Sequence, residues 1–223
     1  MNSNTPHLVV MLTHHDLTRL DAAQLFEQAK DSQASFWGFK EQPLPLEEMK
    51  QLYARMKACG KTTFMEVVAY SEDEGLEGAR MAAQCGCDVL MGTTFSDSIC
   101  QFCQQHSLRY MPFVGRVEER PSVLYGDVRS MVQEARDYVR RGAYGVDLLG
   151  YRYVGDCNKL ISELVRNLDA PVCVAGSIDR PERLDTIRSV SPWAFTIGSA
   201  FFEERFGKGL KNQIDHVCQY MSE

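Results

Sequence analysis

Several features that mark common protein classes are missing from this sequence. No apolar run approaches the roughly 20 residues that a helix needs to span a bilayer, so we predict no membrane partner. Residues 1–12 lack a basic start and contain too short an apolar stretch for a secretory signal. We therefore expect the protein to be cytoplasmic.

Excess positive charge is also missing. The 24 Lys and Arg residues are outnumbered by 30 Asp and Glu residues, and the formal net charge of −6 argues against a broad nucleic-acid surface. A local positive pocket for a phosphate is compatible with this balance. No linker, low-complexity segment or block of charge divides the 223 residues, so we predict one domain, residues 1–223.

Cysteine, by contrast, is abundant, with eight residues. In a reducing compartment we expect free thiols rather than disulfides. Two pairs, Cys85 with Cys87 and Cys100 with Cys103, suggest a zinc site as one alternative. Because they fall at opposite ends of one strand–helix unit, we favour buried thiols and predict no metal site.

Short apolar segments alternate with stretches of helical periodicity along the whole chain. The segments are apolar on both faces, as parallel strands covered by helices require. Eight strand–helix pairs favour an α/β fold, a single (β/α)8 barrel with right-handed crossovers. An open doubly wound sheet more often has a glycine-rich turn after its first strand, and residues 12–19 contain no glycine. The predicted strands are 8–13, 36–40, 62–69, 89–94, 110–115, 146–150, 171–175 and 193–197, with a longer loop at 116–126. The predicted helices are 20–32, 45–59, 71–85, 96–107, 127–141, 156–168, 181–190 and 210–221.

The last two predicted strands both end at a Gly-Ser pair, Gly176-Ser177 and Gly198-Ser199. Glycine lets backbone N–H groups approach an anion, and a following helix directs its positive end toward it. In a (β/α)8 barrel, the loops after the last two strands commonly form a phosphate site. The pattern therefore predicts that these four residues bind the phosphate of a small molecule.

The segment 172–207, VCVAGSIDRPERLDTIRSVSPWAFTIGSAFFEERFG, resembles the end of ribulose-phosphate-binding barrels. These include phosphosugar epimerases, such as the N-acetylmannosamine-6-phosphate epimerase group, and isomerases of histidine and tryptophan biosynthesis. The resemblance implies that Gly176, Ser177, Gly198 and Ser199 hold a phosphate. The chain lacks the D-x-K decarboxylase motif on the third strand, the sixth-strand lysine of Schiff-base aldolases, and the acidic residue that sugar-amine epimerases tend to carry after the seventh strand. The catalytic residues of one member are therefore not carried over.

Function in a barrel lies at the C-terminal ends of the strands, where three charged residues are candidates for catalysis. Glu66 has apolar neighbours in TTFMEVVA, and we expect it to point inward because an unpaired carboxylate is costly against the outer helices. Lys40 ends the adjacent strand, and the two can form an acid/base pair, a substrate contact, or a purely structural ion pair. Asp147, in VDLLG, is a candidate for the second member of an acid/base couple. The alternative is that Asp147 binds Arg152 or a loop N–H.

His14 and Asp16 follow the first predicted strand. Because side chains alternate along a strand, we expect these two to converge and His15 to diverge. His14 is a candidate substrate contact or general acid. As an alternative, His14, Asp16 and Glu66 together form a possible set of metal ligands.

Together, these residues predict an enzyme that isomerises or epimerises a phosphorylated sugar, or a similar metabolite, by proton transfer next to a carbonyl. Two alternatives stay open: a lyase in which Lys40 forms an imine, and a barrel that binds a phosphometabolite without catalysis. Arg116 and Arg152 follow strands and are weaker candidates for an anion contact. No cofactor is predicted, and the expected partner is a phosphorylated small molecule. A homo-oligomer formed through outer helices or the 116–126 loop is a further expectation.

Overall fold

Eight parallel strands form a nearly closed barrel in the computed structural model, which describes residues 5–223. The strands are β1 His7–Met11, β2 Phe36–Lys40, β3 Thr62–Val67, β4 Val89–Gly92, β5 Arg109–Met111, β6 Val146–Leu148, β7 Val172–Val174 and β8 Ala194–Ile197. Their order in the sheet is β6-β7-β8-β1-β2-β3-β4-β5. A parallel bridge between Phe113 and Asp147 connects the segment after β5 to β6. The predicted (β/α)8 barrel is confirmed, and residues 1–4 of the predicted domain lie outside the described residues.

Within residues 5–223, nine α-helices accompany the strands. Ser96 and Asp127 cap two of them by accepting hydrogen bonds from backbone N–H groups, which satisfies donors that the first helical turn leaves unpaired. No helix in this range is long and apolar enough to cross a membrane. The helices are α1 Ala22–Ala29, α2 Leu46–Ala58, α3 Glu72–Gln84, α4 Asp97–Gln105, α5 Val128–Arg140, α6 Cys157–Asn167, α7 Pro181–Val190, α8 Ser199–Phe202 and α9 Leu210–Ser222.

Two hairpins and one short helix differ from the predicted elements. Thr13–His14 pairs with Leu17–Thr18, and the predicted loop at 116–126 contains the antiparallel pair Arg116–Glu118 and Val123–Tyr125. Helix α8 begins directly after the Gly198 that follows β8. Strands of two or three residues and a helix of four are too short to produce a period in the sequence. These elements all lie near the C-terminal ends of the barrel strands, where they add to the walls of the site.

The barrel interior is a packed apolar core. Side chains alternate along each strand, so that on β3 Phe64 and Glu66 point into the barrel while Met65 and Val67 pack toward the helices. The interior cluster consists of Val9, Met11, Phe64, Val89, Met91, Met111, Cys173 and Ala194. Glu66 therefore points inward, as the sequence predicted.

Gly38 allows β2 and β3 to approach closely. A Cβ at this position would lie 2.5 Å from the carbonyl oxygen of Phe64 and 2.8 Å from its Cβ. The strand register pairs Gly38 with Phe64, and the same register pairs Lys40 with Glu66 two residues further on. The missing side chain at Gly38 therefore helps to set the position of the charged pair.

We expect Gly38→Ala to destabilise the fold by about 3 kcal/mol, because the added methyl group meets backbone that the sheet holds in place. Gly60→Ala is the control. Gly60 has a φ of +74° and nothing within 4 Å of an added Cβ. We therefore expect this variant to lose only about 1 kcal/mol of stability, from the left-handed backbone that alanine disfavours. Urea unfolding of both variants measures the difference. A Gly38→Ala variant as stable as the parent would show that the two strands are not held this closely.

Candidate active site

A cavity of about 220 Å³ opens at the C-terminal ends of the barrel strands. Lys40 and Glu66 line one side of it, and the two Gly-Ser turns after β7 and β8 line another. This is the end of the barrel at which enzymes with this fold hold their substrates. The sequence predicted both groups of residues, and the structure brings them to one cavity.

Lys40 is held between two carboxylates. Its Nζ donates a hydrogen bond to Asp16 Oδ1 at 2.6 Å and lies 3.5 Å from Glu66 Oε1. The Lys40 side chain is only 8% exposed, so its charge requires partners of opposite sign. The ion pair predicted between Lys40 and Glu66 is confirmed, and Asp16 is a partner that the sequence did not predict.

The surroundings of Lys40 keep it charged. Burial alone lowers the pKa of its amine, but the negative charges of Glu66 and Asp16 and the hydrogen bond to Asp16 outweigh burial and raise that pKa above the ordinary value. Lys40 is therefore an ammonium ion at neutral pH. A fixed ammonium can stabilise negative charge on an oxygen atom, whereas it is a poor nucleophile.

Asp147 lies on β6 in the barrel interior and is only 1% exposed. Its carboxyl oxygens form no hydrogen bond or ion pair with Arg152, so the predicted alternative of an Arg152 partner is wrong. Burial and then the negative charge of Glu66 raise the pKa of Asp147 well above its usual range, although Lys40, the backbone N–H of Gly92 and Arg152 oppose this. Asp147 does not line the cavity. Its role in an acid/base couple stays a prediction.

The two Gly-Ser turns are built differently. Gly176 and Ser177 both have left-handed backbones, with φ of +82° and +57°, and an added Cβ at Gly176 would lie 3.0 Å from Cγ of Arg152. Helix α7 begins only at Pro181, four residues after Ser177. Ser199, in contrast, is the first residue of α8, and its Oγ accepts a hydrogen bond from the backbone N–H of His15 at 3.2 Å. Binding of a phosphate by these turns stays a prediction.

His14 does not line the cavity. Its ring lies 3.8 Å from that of His15 and 5.8 Å from that of Phe202, and its Nε2 is buried with no hydrogen-bond partner among the described residues. Burial, followed by the nearby His15 and Arg19, lowers the pKa of His14. The catalytic role of His14 stays a prediction, and it is not part of the function proposed below.

The expected convergence of His14 and Asp16 is wrong, because the chain turns between them. His15 and Asp16 have φ of +48° and +67°, which ends the alternation of an extended strand. Asp16 reaches Lys40, while His14 and His15 stay together outside the cavity. In the described part of the chain, no three His, Cys, Asp or Glu side chains form a group that could hold a metal ion, so the alternative set with Glu66 is not assembled.

The remaining candidates divide into cavity and surface residues. Arg152 lines the cavity, whereas Arg116 is 62% exposed and pairs with Glu118. Ser122 and Glu203 also line the cavity, and the sequence analysis missed both, because each lies several residues beyond the end of its predicted barrel strand. The sequence signal that could have found them is their position, Ser122 in the 116–126 loop and Glu203 shortly after Gly198-Ser199.

The eight cysteines are free thiols. Those that suggested zinc, Cys85, Cys87, Cys100 and Cys103, are buried. Burial raises the pKa of Cys87 and Cys103 to about 12 in each case, which disfavours the thiolate that metal binding requires. They pack as small apolar residues.

Solved structures with a similar fold include enzymes named for phosphorylated compounds. Thiamine phosphate pyrophosphorylase from Pyrococcus furiosus has a TM-score of 0.68 and 14% identity over 99% of this chain and 97% of that chain. A monomeric form of phosphoribosylanthranilate isomerase from Thermotoga maritima has a TM-score of 0.65 and 14% identity, over 97% of this chain and 98% of that chain. N-acetylmannosamine-6-phosphate 2-epimerase from Clostridium perfringens has a TM-score of 0.63 and 14% identity, over 87% and 86%.

The similarity between this chain and these solved structures is a similarity of fold. No family model matches the chain, and the search of curated proteins found no match. The epimerase represents the group that segment 172–207 resembles, so this resemblance is confirmed at the level of the barrel fold. At these identities the shared fold does not assign an activity.

We expect Asp147→Asn to become more stable than the parent as pH rises. The raised pKa means that the folded protein keeps a proton that the unfolded chain releases above about pH 4. This contribution to stability is full below that pH and is lost as pH rises toward the folded pKa, with a slope approaching 1.4 kcal/mol per pH unit. Asp147→Asn removes this loss, and urea unfolding at about pH 5 and about pH 8 measures the change.

Asp97→Asn is the control for this experiment. Asp97 is exposed, and its hydrogen bond with Arg141 lowers its pKa, so its loss gives no stabilisation at high pH. If the stability difference between Asp147→Asn and the parent were the same at both pH values, Asp147 would not be a protonated carboxyl in the folded protein.

Proposed function

We propose that this protein is an enzyme that isomerises or epimerises a phosphorylated sugar or a similar small metabolite. The reaction is proton transfer at a carbon next to a carbonyl. One observation supports this above the others: a single cavity contains the buried Lys40–Glu66 pair on one side and the two Gly-Ser turns on the other. A phosphate held at the turns would present the rest of a small molecule to the charged pair.

Glu66 acts as the base in this proposal. Its carboxylate removes a proton from the carbon next to the carbonyl, the C–H electron pair forms a C=C bond, and the carbonyl oxygen becomes negatively charged. In isomerisation, the neighbouring hydroxyl transfers its proton to the former carbonyl oxygen and becomes the new carbonyl, while the carbon-bound proton returns to the former carbonyl carbon. In epimerisation, water or a second acid delivers a proton to the opposite face of the original carbon. Because Glu66 is directed by the sheet and is largely buried, its position relative to a bound substrate is fixed.

Lys40 stabilises the oxygen that becomes negative. Its ammonium group is already desolvated and oriented by Asp16 and Glu66, so little reorganisation is needed when charge develops. Asp147 holds a proton in the interior behind this pair, where it interacts electrostatically with Glu66. We assign it the role of limiting the negative charge beside Glu66.

The charge of Lys40 supports this reaction over imine formation at that residue. An imine requires a neutral amine, and the raised pKa of Lys40 keeps the amine protonated. The second alternative, binding without catalysis, makes no use of a buried base beside a buried cation. A homo-oligomer stays a prediction.

The phosphate end of the proposal is tested by Ser199→Asp. A thermal-shift screen with sugar phosphates and amino-sugar phosphates, and inorganic phosphate as the reference, identifies ligands that stabilise the parent. We expect Ser199→Asp to weaken their binding at least tenfold by charge repulsion, which removes about 1.4 kcal/mol of ligand stabilisation. The Asn side chain is the same size as that of Asp but carries no charge, so Ser199→Asn should keep most of the ligand stabilisation. Equal shifts in the parent and both variants would place the phosphate elsewhere.

The catalytic end is tested by Glu66→Gln. Solvent deuterium enters a substrate whenever a carbon-bound proton is removed and replaced, so NMR in D2O reports the chemistry even when the product is unknown. With a ligand that stabilises the parent, we expect deuterium incorporation, and we expect Glu66→Gln to slow it by roughly 100-fold or more while still binding the ligand. Binding without exchange in the parent would support the non-catalytic alternative, and full exchange in Glu66→Gln would exclude Glu66 as the base.

A further inference from the structure

Asp16 lies between the two cations of the cavity. Its Oδ1 is 2.6 Å from Lys40 Nζ and 3.9 Å from Arg152 Nη2. In the described part of the chain, Lys40 and Arg152 are the lysine and arginine side chains that line the cavity. One carboxylate oxygen of the chain therefore faces both positive charges, which come from β2 and from the segment after β6.

The charges around this point leave room for one anion. Lys40 and Arg152 each contribute one positive charge, and Glu66, 3.5 Å from Lys40, contributes one negative charge. Burial and the charge of Glu66 raise the pKa of Asp147 and so favour its protonated form. Lys40, Arg152 and Glu66 together carry one positive charge, and Asp16 supplies a negative charge that balances it.

The hairpin that presents Asp16 has a fixed base and a strained tip. At the base, Thr18 Oγ1 donates a hydrogen bond to the carbonyl oxygen of Lys40 and accepts one from its N–H, both at 2.9 Å. At the tip, His15 and Asp16 both have left-handed backbones. The tip is tied to Ser199 by the 3.2 Å hydrogen bond from the His15 N–H. A ligand that contacts Ser199 at one end and Lys40 at the other would therefore compete with both contacts of the tip.

From this arrangement we infer that Lys40 and Arg152 form a second anion site, in which the Asp16 carboxylate takes the place of a ligand carboxylate. The ligands of this protein then carry a phosphate at one end and a carboxylate at the other. The inference rests on the proposed function for the phosphate end alone. It makes Asp16 a competitor of the substrate and Arg152 a specificity-determining residue.

Three related compounds separate the two ends of such a ligand. Glycerol 3-phosphate carries only a phosphate, glycerate carries only a carboxylate, and 3-phosphoglycerate carries both. Calorimetric titration compares their affinities for the parent and for Asp16→Asn. We expect the parent to bind 3-phosphoglycerate more tightly than glycerol 3-phosphate, and Asp16→Asn to increase this preference roughly tenfold, because both cations are released. Arg152→Gln should lose the preference.

Glu203→Gln is the matched control for charge. Glu203 lines the same cavity and pairs with Arg205 rather than with the two cations. Its loss removes one negative charge from the cavity wall, so it should change the affinities for the two phosphate esters by similar factors. If Asp16→Asn also changed both by the same factor, or if Arg152→Gln kept the preference, the second anion site would be wrong.

The failure of the phosphate proposal gives a different result. If neither phosphate ester binds, the turns are not a phosphate site, and glycerate alone then tests the second site. Binding of glycerate to Asp16→Asn, lost when Arg152→Gln is added, supports the second site. No binding of glycerate to Asp16→Asn contradicts it. Circular dichroism checks that each variant folds. Asp16→Gly is a second variant without the carboxylate, and glycine accepts the φ of +67° at this position without strain.

Discussion

A buried ammonium group requires carboxylates around it, and much of the upper part of this barrel is arranged to supply them. The register between β2 and β3 places Glu66 beside Lys40, and the absence of a side chain at Gly38 lets the two strands approach. The hairpin after β1 adds Asp16 from the other side. Removing one of these partners would leave a charge in a poorly solvated place, which is far more costly than losing a surface ion pair. The same partners hold the ammonium group in a fixed position, and this is also what a catalytic cation needs.

The order of the strands explains why one hairpin can reach both ends of the cavity. Because β1 lies between β8 and β2, the segment after β1 has the Gly198-Ser199 turn on one side and Lys40 on the other. Thr13 packs so closely against Gly198 that an added Cβ there would lie 2.6 Å from its Oγ1. The hairpin therefore joins the part of the cavity proposed for the phosphate to the part proposed for the chemistry.

The sequence predicted the barrel and the inward direction of Glu66, because both follow from short-range periodicity and the cost of an unpaired carboxylate. It did not predict the contact between Asp16 and Lys40. That contact depends on the left-handed backbones of His15 and Asp16. Neither residue type indicates a left-handed turn in a sequence as strongly as glycine does. Nor did it predict the depth of Asp147. Alternation along a strand shows which face a side chain occupies, but not how far below the cavity it lies, since that depends on the stagger of all eight strands.

The most direct test of this account is a crystal structure of the protein with 3-phosphoglycerate. We expect the phosphate between the turns at Gly176-Ser177 and Gly198-Ser199, with the carboxylate between Lys40 and Arg152 in place of Asp16. Glu66 would then face the carbon atoms between the two charged ends. A phosphate bound away from both turns, or a ligand with its carboxylate at the turns and its phosphate at Lys40, would contradict the division of the cavity on which the proposed function depends.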